Sequence, residues 1–280
     1  MGKRKIGKVD GRSMNFTFDA NTTQWSDVNA LWSAKASALA YSDREVIEST
    51  VSEWGFSKFE FLERKATDTQ SFVVSNQEMI LVVFRGTEPD QLRDWMTDAD
   101  IHLSDSPMGM VHHGFLGALT SIWDDLLFAI NEQQTHAQSV WLTGHSLGAA
   151  LAGLATAKLR LELDKPVNGL YTFGQPRVGD RDFARHFNAD FKPRAFRYVN
   201  NADVVTRVPP RSFGYSHVGT FVFFDEEGAV QSDLHWWNKF LEEVEGDIEG
   251  FLTGKLAPLE DHKIENYVAR LEKNLGKNPF

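Results

Sequence analysis

The residues Met79-Ile-Leu-Val-Val-Phe84 are apolar without interruption. A strand that lacks polar alternation is buried on both faces, as at the centre of a sheet sandwiched between helices. Shorter runs predict further strands at 58–63, 69–75, 140–143, 170–173, 195–200 and 220–225. Asn76-Gln77 reads as a hairpin turn, and Asp225-Glu-Glu-Gly228 as a turn into a partner strand at 229–231. Asp27 is expected to cap a helix running through Val28, Leu31, Trp32, Ala38 and Leu39 to Tyr41. Asp43 opens another that ends near Trp54, with Gly55 as its stop. Helices are also predicted at 115–133, from Gly148 to about Glu162, and at 234–245 and 263–273. Strand and helix patterns alternate through the middle of the chain. The class is therefore α/β, with a central, mostly parallel sheet covered by helices on both faces. Residues 1–24 are polar and read as a lead-in. No repeat or Pro/Gly/Ser linker divides residues 25–280, which are expected to form a single domain.

Composition narrows the function classes. A 280-residue chain is long enough to bury a full core without staples. It has no cysteine, which excludes disulfides, thiolate catalysis and cysteine-bound zinc. The net charge of −10 argues against nucleic acid and weakly against anionic membranes. With 21 Phe and 8 Trp, aromatic residues exceed the needs of a minimal core and are compatible with an apolar pocket. Lys3, Arg4, Lys5 and Lys8 look like the basic start of a signal peptide, but Asp10, Arg12 and Asn15 follow where an apolar stretch is required. Ile6 breaks the myristoylation pattern, and no run approaches the roughly 18 apolar residues of a transmembrane segment. The expectation is a soluble protein, either cytoplasmic or a mature secreted form with its leader absent.

The chemistry is carried first by Gly144-His145-Ser146-Leu147-Gly148, set between an apolar strand and a small-residue helix. A strand that turns directly into a helix brings two backbones nearly into contact. The positions two before and two after the serine must then be tiny. Such a turn pushes Ser146 Oγ out over the sheet edge. It also sets the Leu147 N–H at a helix N-terminus, aimed where an oxyanion would form. The bland alternative is a serine-containing tight turn in an inactive descendant.

Four segments appear in order: Val83-Phe-Arg-Gly-Thr87, Val111-His-His-Gly-Phe115, Thr143-Gly-His-Ser-Leu-Gly-Ala-Ala-Leu151 and Thr172-Phe-Gly-Gln-Pro-Arg-Val-Gly179. Together they resemble the class 3 lipases, the Rhizomucor-type α/β-hydrolases, over about residues 30–270. The resemblance implies an α/β-hydrolase fold and hydrolysis of carboxylic esters by an acyl-enzyme route. The family consists mainly of triacylglycerol lipases, with phospholipase and feruloyl esterase branches. A lipid ester substrate and transient contact with a lipid interface are thus expected, with no metal and no cofactor. The oligomeric state stays open. Carboxylesterase, phospholipase A1 and feruloyl esterase activity are alternatives on the same machinery, and a catalytically silent lipase-like binding protein is a third class.

In α/β-hydrolases the triad runs Ser, then Asp or Glu, then His. Asp164, Asp180, Asp182, Asp190 and Asp203 follow Ser146, and Asp203 lies just past a strand C-terminus, where open α/β sheets place their sites. The segment from Asn200 to Pro210 also resembles the family's acid-bearing loop. His217, His235 and His262 follow Asp203. His235 sits in an amphipathic helical pattern and His217 resembles a structural His-Val-Gly of the family, whereas Asp261-His262 matches the catalytic position. His145, adjacent to Ser146, resembles the family's packing histidine. Leu147 supplies one oxyanion donor, and the resemblance implies that Thr87 supplies the other through its N–H and hydroxyl.

Pro89 and Asp90 are placed to start a short helix, and Leu92, Trp95 and Met96 fall at i, i+3 and i+4 along it. In the family a similar segment, here about 88–98, is the mobile lid over the serine. Asp98, Asp100, His102 and Asp105 form an acidic cluster, read as a solvated loop because the calcium-loop glycine is missing. Trp236, Trp237 and Phe240 read as core or interface residues.

Overall fold

A computed structural model describes residues 16–87, 102–201, 203–232 and 259–280. In chain order its strands are β1 (Lys58–Arg64), β2 (Thr69–Ser75), β3 (Met79–Phe84), β4 (Leu103–Ser106), β5 (Gly109–His112), β6 (Ser139–His145), β7 (Gly169–Phe173), β8 (Gly179–Asp180), β9 (Ala195–Asn200), β10 (Tyr215–Ser216), β11 (Thr220–Phe224) and β12 (Val230–Gln231). The helices are α1 (Asp27–Leu39), α2 (Arg44–Glu53), α3 (His113–Gln133), α4 (Leu147–Ala157), α5 (Arg181–Phe191) and α6 (Ile264–Asn274).

The main sheet runs β1-β2-β3-β6-β7-β9-β11-β12. Its centre is parallel from β3 through β6, β7 and β9 to β11, and antiparallel pairs close both edges. Strand periodicity divides β3 between two cores. Ile80, Val82 and Phe84 join the core under α3 and α4, while Met79, Leu81 and Val83 join the core under α1 and α6. All six residues are buried, as an uninterrupted apolar run requires. Asn76 closes the β2–β3 hairpin by accepting from the Glu78 and Met79 N–H groups.

Several local readings are corrected. Ser26, not Asp27, caps α1 by accepting from the Asn29 N–H at 3.2 Å; Asp27 is the first helical residue. The helix after Ser146 begins at Leu147, and its last turn, Lys158–Glu162, widens to π geometry. A small second sheet, β10-β8-β5-β4, was not foreseen. Its strands are two to four residues long, mostly polar, and are held by tertiary pairing rather than by alternation. Helix α5 was also missed, although Asp180 caps it and Phe183, Phe187 and Phe191 form its buried stripe. The segments read as a lid at 88–98 and as a helix at 234–245 lie outside the described residues. Among the described residues, no helix is long and apolar enough to cross a membrane.

Candidate active site

The elbow between β6 and α4 obeys the steric demand read from its sequence. A Cβ on Gly144 would overlap the Gly148 carbonyl, and one on Gly148 would overlap the Phe84 carbonyl at the end of β3. Ser146 takes φ +58° and ψ −128°, a conformation costly for a residue with a side chain. It is held there by its N–H, which donates to the Phe173 carbonyl at 3.0 Å at the end of β7. Leu147 opens α4, so its N–H belongs to the unsatisfied first turn. Gly86 packs onto the elbow, where a Cβ would lie 3.0 Å from Ser146 Cβ. Half-buried Thr87 follows Gly86 in the chain.

Asp203 stands just beyond the C-terminus of β9 and caps the short turn Val204–Arg207. Its Oδ1 and Oδ2 lie 3.0 and 2.9 Å from His262 Nδ1. Oδ1 also accepts from the Val205 N–H at 3.0 Å, and Oδ2 accepts from the Tyr267 hydroxyl at 2.6 Å. Burial pushes this carboxyl upward. The charge of His262, its N–H and the Tyr267 hydroxyl outweigh that and hold it below its ordinary value. The same burial, with Asp203 beside it, drives the Tyr267 hydroxyl well above its ordinary value, so it stays protonated and donates.

Ser146 (fully buried), Asp203 and His262 are all closed to solvent. Gly174 joins them. It follows Phe173, whose carbonyl holds Ser146, and at φ +60° its missing side chain leaves room for His262 and Asp203. Donation from Nδ1 to Asp203 makes His262 Nε2 the acceptor nitrogen. Both Nε2 and Ser146 Oγ are buried and have no hydrogen-bond partner among the described residues. This set can take a proton from the serine hydroxyl as it attacks an acyl carbonyl.

The rival acids have other work. Asp180 caps α5, Asp190 pairs with Arg160, and Asp164 and Asp182 are exposed. His217 is half-buried, and burial of its ring with the nearby Arg197, Arg177 and Arg211 presses its pKa well below the ordinary value; Asp203 is bonded to His262 instead. His235 lies outside the described residues, as do Leu92, Trp95, Met96, Asp98, Asp100, Trp236, Trp237 and Phe240.

Sequence reasoning missed the supports. Asn200, at the end of β9, donates its N–H to Tyr267 Oη at 3.0 Å and its side-chain amide to the Asp261 carbonyl at 2.8 Å, which ties the acid strand to the histidine loop. Arg177 clamps the acid loop from below, donating to the Pro209 carbonyl at 2.8 Å and to the Arg207 carbonyl. Tyr267 lies one turn into α6, on the helix's buried face with Ile264 and Leu271, where its sequence pattern signals packing alone.

A mostly parallel sheet with a strained serine at the turn after a central strand, an acid after a later strand and a histidine near the C-terminal helix defines an α/β-hydrolase. Residues 81–213 match the Lipase (class 3) family. Triacylglycerol lipase OBL1 of Arabidopsis thaliana is 33% identical over 247 residues, covering 68% of this chain and 48% of that protein. A lipase of Rhizomucor miehei is 36% identical over 162 residues, covering 54% and 44%. The solved structure of Rhizomucor miehei triacylglyceride lipase superposes with a TM-score of 0.63 at 27% identity, covering 74% of this chain and 85% of that one. The chain belongs to the class 3 lipase family. It spans about half the length of the curated relatives named here.

Proposed function

We propose that this protein is a serine carboxylic-ester hydrolase that cleaves acylglycerols, with residues 25–280 acting as one catalytic domain behind a lead-in of residues 1–24. Ser146 Oγ attacks the acyl carbonyl carbon while His262 Nε2 takes its proton. Asp203 fixes the Nδ1–H tautomer and stabilises the imidazolium. The tetrahedral oxyanion is received by the Leu147 N–H and by Thr87, whose loop Gly86 seats against Ser146. Collapse expels the alcohol, which takes the proton from Nε2. Water then repeats the sequence on the acyl-enzyme and regenerates Ser146.

The observation that carries this reading is the buried Asp203–His262 pair beside a strained Ser146 whose hydroxyl has no partner among the described residues. The acylglycerol assignment is supported by family membership and by the relatives, which are described as triacylglycerol lipases and, in Malassezia globosa, as a secreted mono- and diacylglycerol lipase. The test is a rate series on p-nitrophenyl esters of rising acyl length, with emulsified triolein, monoolein and phosphatidylcholine alongside. Turnover of triolein or monoolein above phosphatidylcholine is expected. Activity confined to short soluble esters would make the protein a carboxylesterase, preference for phosphatidylcholine a phospholipase, and inactivity on every ester a silent relative.

A further inference from the structure

Tyr41 lies in the turn after α1, 104 residues from His145 in sequence. Its hydroxyl is 2.7 Å from His145 Nδ1, and His145 Nε2 is 2.6 Å from the backbone carbonyl of His262. A carbonyl only accepts, so Nε2 carries the proton. Burial first, and then the nearby His262, press the His145 pKa down to about 3, which keeps the ring neutral. Nδ1 is therefore bare, and Tyr41 must be the donor. The His145 ring also lies against that of His262, centroids 4.5 Å apart.

The same hydroxyl meets the other side of the site. A Cβ on Gly86 would overlap Tyr41 Oη, and the Arg85 guanidinium lies 5.7 Å from the Tyr41 ring centroid. Arg85 and Gly86 lead directly into Thr87. One side chain thus touches the loop proposed to receive the oxyanion and, through His145, the backbone of the proposed base.

We propose that Tyr41 is a positioning residue for ester hydrolysis: by donating to His145 it pins the ring that holds the His262 backbone, and by seating Gly86 it sets the gap between the oxyanion loop and the base. This rests on the assignment of Ser146 and His262 above. It predicts a loss in the chemical step rather than in substrate binding, because Tyr41 acts through other residues on groups that move protons and receive the oxyanion.

The test compares wild type, Tyr41→Phe and Ser146→Ala on a soluble short-chain p-nitrophenyl ester, with the downfield proton resonance of His262 Nδ1–H followed by NMR. The proposal expects Tyr41→Phe to fold, to lose roughly five- to fiftyfold in kcat with KM within about twofold, and to show a shifted or broadened Nδ1–H resonance. A kcat within twofold of wild type, or a lower kcat with an unchanged resonance, overturns it. If Tyr41→Phe does not fold, the same resonance in His145→Gln, which lacks the imidazole ring that Tyr41 pins, decides: an unchanged signal overturns the proposal and a displaced one supports it. An inactive Ser146→Ala beside a wild-type Tyr41→Phe sinks only this inference. An active Ser146→Ala sinks the underlying assignment, and the inference with it.

Discussion

Gly174 leaves open the volume that His262 occupies: a Cβ at this position would lie 2.7 Å from His262 Cε1, 2.8 Å from its Nδ1 and 2.9 Å from Asp203 Oδ2. Neither ring nor carboxylate has room to yield, because Asp203 is also held by two other groups, the Val205 N–H and the Tyr267 hydroxyl. Gly174→Ala therefore adds a steric clash to a backbone strain of about 1 kcal/mol or more. The expected result is a folded but less stable protein with kcat reduced at least about a hundredfold, read from steady-state kinetics and thermal melting. Wild-type turnover in this variant would mean that the His262–Asp203 geometry does not govern the rate.

Acid should unfold the protein earlier than its acidic composition suggests. His145 titrates near pH 3 in the fold and near 6.5 when unfolded, because burial disfavours its charged form. The unfolded chain then binds the extra proton between those values, so stability rises with pH across that window and is lost as pH falls. At pH 4.5 this group alone costs about 3 kcal/mol relative to neutral pH. His217, lowered well below its ordinary value by burial and by neighbouring arginines, acts in the same direction. Asp203, held below its ordinary 3.8, extends the loss at lower pH. Denaturant melts at pH 7.5 and 4.5 check the prediction, which a flat profile would refute.

Thr87 separates two donors in one residue. If both its N–H and its hydroxyl receive the oxyanion, Thr87→Ser should keep most of the turnover while Thr87→Ala loses roughly 10²–10³ in kcat with little change in KM. Equal kinetics for all three would leave the oxyanion to backbone donors alone.

The spacing of Leu92, Trp95 and Met96 predicts an apolar helical face that an oil–water interface can receive. Burying a Trp-sized side chain stabilises by about 1.5–3 kcal/mol, enough to shift an opening equilibrium tenfold or more. The rate should rise sharply at the solubility limit of a sparingly soluble ester, and Trp95→Ser should flatten that rise. With a net charge of −10, zwitterionic interfaces should serve better than anionic ones. Smooth saturation in both proteins would remove the lid from the account.

How much was legible follows from which constraints are local. The β3 run and the Gly144–Gly148 spacing express constraints between neighbours in sequence, so the pattern of residues exposed them. Asp203 and His262 were reached through chain order, the strand end before Asp203, and the resemblance of their flanking segments to the family's. The supports were not reached. Tyr267 bonds Asp203 from 64 residues away, Asn200 bonds Asp261 from 61, and Tyr41 bonds His145 from 104. Each is an ordinary residue in its own segment and acquires its role only when the sheet brings the segments together. The small sheet was hidden for the same reason, with β8 and β10 contributing only two residues each.

Ser146 is proposed as the nucleophile and His262 as its base. Incubation with diethyl p-nitrophenyl phosphate tests this assignment directly: Ser146 Oγ would bond to phosphorus as p-nitrophenolate leaves and His262 takes the proton. Expected are one diethylphosphoryl group per chain, mapped by peptide mass spectrometry to Ser146, one equivalent of p-nitrophenolate released, and ester hydrolysis lost in step. Ser146→Ala should show neither label nor activity. Label on another residue, or undiminished hydrolysis in Ser146→Ala, would contradict the assignment.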